Sequence, residues 1–245
     1  MSRELYSVLP GPLPNYSANI FLKSLSAEDS ELIKPHLRSI TLGSGAQLLT
    51  AGERVPQVFF PDGCVISMIV NLEEGASVEA AILGRESVLG AGPAINGDIS
   101  LSDVVVRVPG RASLIDGDRL RAAAELSASI RLALSRHERA LLAQVLQSLG
   151  CFSRHSAESR LARWLLVVRD LTGDDTVAVT HESLGLTLGV RRNTVSVVAG
   201  ALQRAGYIHY IRGRMTITDL NGLTNKSCGC YATVKDHRAR LLRDP

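Results

Sequence analysis

The longest stretch of the sequence without glycine or proline runs from Asp118 to Leu149, a span of 32 residues. It is rich in Ala, Leu and Arg, which are good helix formers, so it predicts a short helix followed by a long one. The stretch separates two parts of the chain whose sequence patterns predict different secondary structure. The long helix therefore has to connect a β-rich N-terminal part to a helical C-terminal part.

The long helix is apolar on more than one side between Leu134 and Phe152. Two apolar faces need two partners, and we expect the β section to cover one of them. A second copy of the helix is expected to cover the other and to form a two-fold dimer; burial inside one chain is the alternative. The expected dimer contacts are Leu134, Leu141, Leu142, Val145, Leu149 and Phe152.

The section from Ser39 to Ile115 consists of short β-rich runs separated by turn residues. Such strands at intervals of roughly 8 to 12 residues indicate an antiparallel sandwich or barrel. The section contains no histidine, whereas a metal-dependent enzyme on such a barrel needs clustered histidines and carboxylates. We therefore expect no catalysis.

The charge is distributed unevenly along the chain. Residues 1–150 carry 13 Lys and Arg against 16 Asp and Glu, whereas residues 151–245 carry 14 against 8. A basic C-terminal part favours an anionic partner, with nucleic acid the first candidate. The short apolar runs, the prolines in the leader and the four scattered cysteines predict a cytoplasmic protein without membrane span, signal peptide or disulfide framework.

A helix-turn-helix pattern follows Thr180, which is expected to cap the first helix. Gly189 ends this helix, and the second helix starts near Arg192 and ends at Gly206. The next run alternates around Arg212-Gly213-Arg214, which predicts a hairpin with a basic tip. The stretch therefore indicates a winged helix-turn-helix.

The N-terminal side chains of the second helix in such a motif enter the DNA major groove. Arg192 is expected to donate to guanine, Asn193 to pair with adenine, and Val197 to touch a thymine methyl group. Arg191 is expected to reach a base or a phosphate. The expected phosphate contacts are Thr180, Thr194, Ser196, Arg212 and Arg214.

From about Phe21 to Leu223, the chain resembles the Crp–Fnr family of bacterial transcription factors. In the β section, the resemblance lies in GAQLLTAGERVPQVFFPDGCVIS and SDVVVRVPGRASLI. In the C-terminal part, it lies in LARWLLVVRD and LGLTLGVRRNTVSVVAGALQRAGYI, the most specific match. The resemblance implies an α+β fold with a cyclic-nucleotide-binding-like β jelly roll, a long dimerisation helix and a C-terminal winged helix-turn-helix.

The expected effector pocket departs from the family pattern. Nucleotide-binding members hold ribose with a Gly-Glu pair and the cyclic phosphate with an Arg-Ser or Arg-Thr pair. Here Gly90 is followed by Ala91, and Leu101 precedes Ser102. A cyclic phosphate would lack its charged bidentate partner, so binding of cyclic AMP in the usual mode is not expected.

The second helix of the helix-turn-helix also departs from the family pattern, because Asn193 replaces a common Glu and Val197 replaces a common Arg. The bound sequence is therefore expected to differ from the usual half-site.

No metal site or cofactor is predicted, since the leader lacks the cysteines of the iron–sulfur members. Six histidines leave haem open, and the closely spaced Cys228 and Cys230 leave thiol redox sensing open. Zinc would need further ligands, for which the sequence offers Cys151, His237 and more distant histidines.

We expect a homodimeric transcription regulator that binds a palindrome in double-stranded DNA, with RNA polymerase as a further partner. A hinge near Gly150–Arg154 would set the spacing of the two reader helices. The alternative is a ligand-binding signalling module whose C-terminal domain contacts a protein. The expected divisions are a flexible leader (1–18), an effector domain (19–117), a dimerisation helix (118–153), a winged helix-turn-helix (154–224) and a tail (225–245).

Overall fold

The computed structural model describes residues 6–8 and 18–241, with the backbone alone for 6–8 and 241. The described residues divide into two compact units. The first comprises residues up to 68 together with 82–140, and the second comprises 69–81 together with the chain from 141 onward. The long helix Ala128–Arg154 contributes its first half to the first unit and its second half to the second.

The N-terminal half of the chain is built from strands and short helices. Its strands are β1 (Tyr6–Val8), β2 (Arg38–Leu42), β3 (Gln47–Leu49), β4 (Gln57–Pro61), β5 (Val65–Asn71), β6 (Ser77–Leu83), β7 (Asp103–Val108) and β8 (Gly110–Asp116). Its helices are α1 (Ile20–Ser24), α2 (Ala27–Ile33), followed by a 3₁₀ turn (Lys34–His36), α3 (Ala91–Asn96), α4 (Gly117–Leu126) and α5 (Ala128–Arg154).

The strands form two four-stranded sheets, ordered β1-β2-β8-β4 and β3-β7-β5-β6. Each of the predicted β-rich runs contributes one strand. The core contains Ile40, Phe60 and Leu114 from the first sheet and Ile66 and Val104 from the second, all fully buried. Because alternate side chains of a strand face the same side, these residues place the apolar core on one face of each sheet.

The leader, which was expected to be flexible, contains the strand β1. The backbone of Tyr6–Val8 pairs antiparallel with β2, from Tyr6 opposite Leu42 to Val8 opposite Ile40. An edge strand offers unpaired N–H and C=O groups, and Tyr and Val favour extended backbone, so the pairing has a physical reason. The rest of the expected leader, residues 1–5 and 9–17, lies outside the described residues.

The first half of α5 is anchored within the first unit. Ile130 is fully buried, and the buried His137 accepts a hydrogen bond through Nε2 from the Val88 N–H, at 3.0 Å. Burial lowers the pKa of His137 to about 4, so the ring is neutral and free to accept. Leu134 is only 5% exposed, so it belongs to the core of its own chain and not to an outward face.

The C-terminal half contains the remaining elements. They are α6 (Ala157–Thr172), β9 (Thr176–Ala178), α7 (His181–Leu188), α8 (Arg192–Arg204), β10 (Ile208–Ile211), β11 (Arg214–Ile217), α9 (Leu220–Lys226) and α10 (Cys230–Leu241). Strands β10, β11 and β9 form a three-stranded sheet in that order. One face of α6, from Leu161 to Leu171, is buried, and Gly173 ends that helix in the left-handed conformation.

The hinge expected at Gly150–Arg154 is not a break in the structure, because these residues are helical. The interruption comes at His155 and Ser156, and Ser156 caps α6 by accepting from the Ser159 N–H. Glycine lowers helix propensity, but tertiary packing can override propensity, and α5 continues through Gly150 to the fully buried Cys151 and on to Arg154. Within the described residues, no helix has the length and apolar character needed to cross a membrane.

Candidate nucleic-acid interface

Helix α7 begins with the predicted cap. The Thr180 side chain accepts from the Ser183 N–H at 3.1 Å, and the Ser183 hydroxyl accepts in return from the Thr180 N–H at 3.2 Å. This reciprocal pair satisfies two N–H groups that the helix itself cannot satisfy. Gly189 ends α7 with a φ of 59°, in the left-handed region that glycine tolerates best.

The turn between α7 and α8 depends on a glycine that the sequence analysis did not single out. The Val190 N–H donates to the Gly185 carbonyl at 3.0 Å. A Cβ added at Gly185 would lie 2.9 Å from the Val190 carbonyl oxygen, which is closer than real Cβ atoms come. Gly185 therefore lets the turn pack against α7, and its position four residues before Gly189 was the available signal.

Helix α8 presents its first turn to solvent. Arg192, Asn193 and Thr194 are exposed, and the next buried residue, Val195, is followed by the exposed Ser196. Val197 is 68% exposed, which is unusual for a valine and leaves its methyl groups available for contact. Arg192, Asn193, Thr194, Ser196 and Val197, which were all predicted to contact DNA, are thus exposed together at the start of α8.

Arg191 occupies the N-cap position of α8, with extended backbone. Its side chain makes no capping hydrogen bond, because a guanidinium carries donors and no acceptor. The first N–H groups of α8 therefore lack the side-chain acceptor that Thr180 provides to α7. The N-terminus of α8 therefore combines the positive charge of Arg191 with backbone N–H donors that no capping side chain accepts from.

His181 connects α8 to β10 through two side-chain contacts. Its Nδ1 lies 2.9 Å from the Ser196 hydroxyl, and its ring stacks on Tyr210 with centroids 4.7 Å apart. Burial lowers the pKa of His181, and the charge of Arg192 lowers it further. A neutral ring can accept from Ser196, so the hydroxyl predicted to bind phosphate already has a partner in the protein.

The predicted hairpin is present between β10 and β11. Its two-residue turn consists of Arg212 and Gly213, with φ angles of 48° and 78°. Positive φ at both positions matches the twist of a tight hairpin. Arg212 and Arg214 are exposed on this turn, and the Gly213 carbonyl accepts from the Val179 N–H at 2.8 Å. A hydrogen bond from the residue that directly follows β9 thus holds the basic tip.

The expected effector cassette contains one structural glycine and one outward leucine. Gly90 has a φ of 83°, and an added Cβ would lie 2.9 Å from the Val55 side chain. Ala91 is buried at the start of α3, whereas Leu101 is 89% exposed. Ser102 is buried, and among the described residues its hydroxyl has no hydrogen-bond partner. Neither Ala91 nor Leu101 supplies a charged or polar side chain.

Cysteines that are far apart in the sequence meet in the second unit. Cys151 Sγ lies 3.5 Å from Cys228 Sγ, and Cys230 Sγ lies 3.5 Å from His155 Nδ1. The hydrogen bond between Cys151 and Cys228 lowers the pKa of Cys228 to about 5 and raises that of Cys151. The sequence offers Cys151, His237 and more distant histidines as further zinc ligands. In the structure, Cys151 joins the cluster, and His155 is its histidine.

Residues 159–226 match the family model described as a Crp-like helix-turn-helix domain. This range runs from α6 to α9 and contains the capped α7, helix α8 and the hairpin. None of the curated protein sequences is similar to the chain.

Solved structures share the fold. A regulator of the crp/fnr family from Eubacterium rectale has a TM-score of 0.68 at 16% identity, over 86% of this chain and 99% of that chain. FixK2 from Bradyrhizobium japonicum has a TM-score of 0.66 at 17% identity, over 79% and 98%. A CRP/FNR-family regulator from Thermus thermophilus has a TM-score of 0.62 at 20% identity, over 77% and 97%. The predicted α+β fold class and the resemblance to the Crp–Fnr regulators are confirmed.

Proposed function

We propose that this chain, which has a Crp-like helix-turn-helix domain and the fold of Crp/Fnr-family transcription regulators, is a homodimeric, sequence-specific DNA-binding regulator. The observation that carries the proposal is the first turn of α8, where Arg191, Arg192 and Asn193 are exposed together at an uncapped helix terminus. Arginine and asparagine are the residues that pair bidentately with guanine and adenine edges. The Crp/Fnr-type regulators are not enzymes, and we propose no catalytic activity.

The second half of α5 supports a dimer. Leu142, Leu146 and Leu149 are 57%, 60% and 70% exposed and lie on one face of the helix at spacings of four and three residues. Such spacing forms the apolar seam along which two helices pack. Val145 flanks the seam and Leu141 is half-buried beside it, whereas Phe152 packs under the guanidinium of Arg160 in its own chain, 4.7 Å from the ring centre. The proposed interface therefore rests on the three exposed leucines.

A two-fold dimer presents two copies of α8 to DNA. The operator is then a palindrome whose half-sites lie about 34 Å apart, one turn of the double helix. In each half-site Arg192 and Asn193 read base edges, Val197 contacts a thymine methyl group, and Thr194 and Arg191 contact phosphates. Arg212 and Arg214 on the hairpin reach the flanking backbone. If this protein activates transcription, RNA polymerase is the further partner that we propose for it.

Replacing Arg214 with alanine is expected to weaken binding to all DNA sequences alike. The side chain is exposed on the hairpin, and a phosphate contact carries no sequence information. Each lost phosphate contact also reduces the slope of log affinity against log salt by about 1. Fluorescence anisotropy over a salt series measures both effects. Arg111→Ala, which removes an exposed arginine of the first unit, is the matched control; a loss confined to one sequence would contradict the phosphate role.

Cyclic AMP is expected to give no saturable heat in calorimetry at micromolar concentration. At the two cassette positions where the family places Glu and Arg, this chain has the buried Ala91 and the exposed Leu101. A cyclic phosphate then has no guanidinium to offset the loss of its hydration. Saturable binding at these concentrations would contradict this interpretation of the cassette.

A map of the DNA sites occupied by the protein in its native host tests the function as a whole. The expected result is a shared palindrome, which purified protein then binds with a steep dependence on salt. If the C-terminal domain contacts a protein instead, no common sequence emerges and the purified protein ignores duplex DNA at low salt.

A further inference from the structure

The strongest unassigned feature is the cluster of Cys151, His155, Cys228 and Cys230 in the second unit, hereafter the Cys₃His cluster. The donor atoms of its four side chains all lie within 4.8 Å of one another. The three cysteines are buried, and the histidine is exposed. We propose that the Cys₃His cluster is a structural zinc site that fastens the C-terminal helix α10 to the end of α5.

The distances fit a single metal ion. A tetrahedral Zn²⁺ with bonds of about 2.3 Å to sulfur and 2.0–2.1 Å to nitrogen separates its ligand atoms by roughly 3.5–3.8 Å. The Cys151–Cys228 and Cys230–His155 separations are both 3.5 Å. An iron–sulfur cluster interposes several irons and sulfides between its thiolates and would need them further apart. A disulfide would instead need two sulfur atoms within bonding distance, about 2.05 Å.

The local backbone explains why four ligands converge. Cys151 lies in the last turn of α5, and His155 directly follows that helix. The His155 N–H still donates to the Cys151 carbonyl at 3.0 Å, as in a helical turn, so the two side chains lie on the same side. Cys228 and Cys230 flank a single glycine between α9 and α10, and Cys230 is the first residue of α10. A thiolate at a helix N-terminus is favoured by the backbone N–H groups there. Two short-range pairs thus supply the full set of four ligands.

The surroundings suit the charge of the loaded site. Three thiolates and a neutral imidazole around Zn²⁺ leave one net negative charge. The positive charge of Arg160 interacts with Cys151 and Cys228, and that of Arg163 with the same two residues. The Nε atoms of both arginines are buried, and neither has a hydrogen-bond partner among the described residues. Gln147 donates to the Cys230 sulfur at 3.0 Å, the kind of outer contact that orients a metal ligand.

Three thiolates and an imidazole form a ligand set typical of structural zinc, because soft sulfur ligands disfavour magnesium, calcium and manganese. With four protein ligands, no position is left open for a substrate or a catalytic water. The site therefore stabilises the fold. It fixes the start of α10. The rest of α10 contacts α6 through Tyr231 and Lys235, which both donate to Asp170, and contacts α5 through Arg238, which donates to Gln144.

The metal content of the full-length chain tests the proposal. The protein is purified with a tag that lacks histidine, in buffer free of metal and chelator, and measured by elemental analysis. We expect about one zinc per chain, lost in both Cys230→Ser and His155→Gln. Cys64→Ala and His237→Gln are the matched controls and should retain the metal, because neither residue belongs to the Cys₃His cluster.

Titration of metal-free wild-type protein keeps the test independent of how the variants fold. Under reducing conditions, Co²⁺ should saturate at one equivalent per chain, with the thiolate charge-transfer and visible bands of tetrahedral cobalt, and Zn²⁺ should displace it. Protein that contains no metal and binds neither ion would overturn the proposal. So would iron in place of zinc, or a Cys151–Cys228 disulfide found by mass spectrometry in freshly purified protein.

Discussion

Replacing Leu146 with glutamate is expected to convert the proposed dimer into monomers and to abolish tight binding to the proposed palindromic operator. Leu146 lies at the centre of the exposed seam formed with Leu142 and Leu149. A carboxylate there would be buried against its own symmetry mate without a partner, which costs far more than the lost apolar contact. Two linked half-site contacts strengthen binding by roughly 10²–10⁴-fold over one, so a monomer loses an affinity of that order.

Analytical ultracentrifugation and anisotropy with a complete operator measure the two effects on the same samples. Leu126→Glu is the matched control, because Leu126 is 76% exposed at the end of α4 and lies outside the seam. It should leave both the mass and the affinity unchanged. A Leu146→Glu protein that remains dimeric would show that the chain pairs through another surface.

Replacing Arg192 with alanine should remove the preference for one base pair in each half-site. A bidentate contact to guanine contributes about 1–3 kcal/mol of discrimination, which is roughly 5- to 150-fold for each half-site. Two half-sites double this free energy in the dimer. The side chain is exposed in the first turn of α8, so the substitution should leave the fold of the domain intact.

Selection of binding sites from a random pool measures the change directly. The variant should tolerate all four bases at the position that the wild type reads, while its preferences elsewhere persist. Arg204→Ala is the matched control at the opposite end of the same helix, where the arginine is also exposed. An equal loss on every sequence would assign Arg192 to the phosphate backbone instead.

Much of the C-terminal architecture follows from local signals. Thr180 and Gly189 bound α7 because a hydroxyl caps one end and a left-handed glycine closes the other. Val195 and Leu202 place one face of α8 in the core, which leaves its first turn outside. The positive φ angle at Gly213 likewise matches a two-residue hairpin. Each of these features depends on residues close to one another in the chain, so it can be predicted from the sequence.

The rest depends on contacts between distant segments. Cys151 and Cys228 are separated by 77 residues, and nothing local to either indicates that α9 and α10 return to the end of α5. The spacing of Cys151 and His155 was an available signal, but it became meaningful only beside the second pair. Leu134 and Leu149 illustrate the same limit: they belong to the same apolar helix, yet one is buried in its own chain and the other is 70% exposed.

Arginine at position 191 leaves the free domain less stable than a capping residue would, and the proposed binding to DNA would offset this loss. An aspartate or serine there would accept from the first N–H groups of α8 and stabilise the free domain by about 1 kcal/mol. It would also occupy the donors that a phosphate oxygen could otherwise satisfy. In the proposed complex, a DNA phosphate would accept from these N–H groups and complete the end of α8, so this helix terminus would gain its missing hydrogen bonds only on binding.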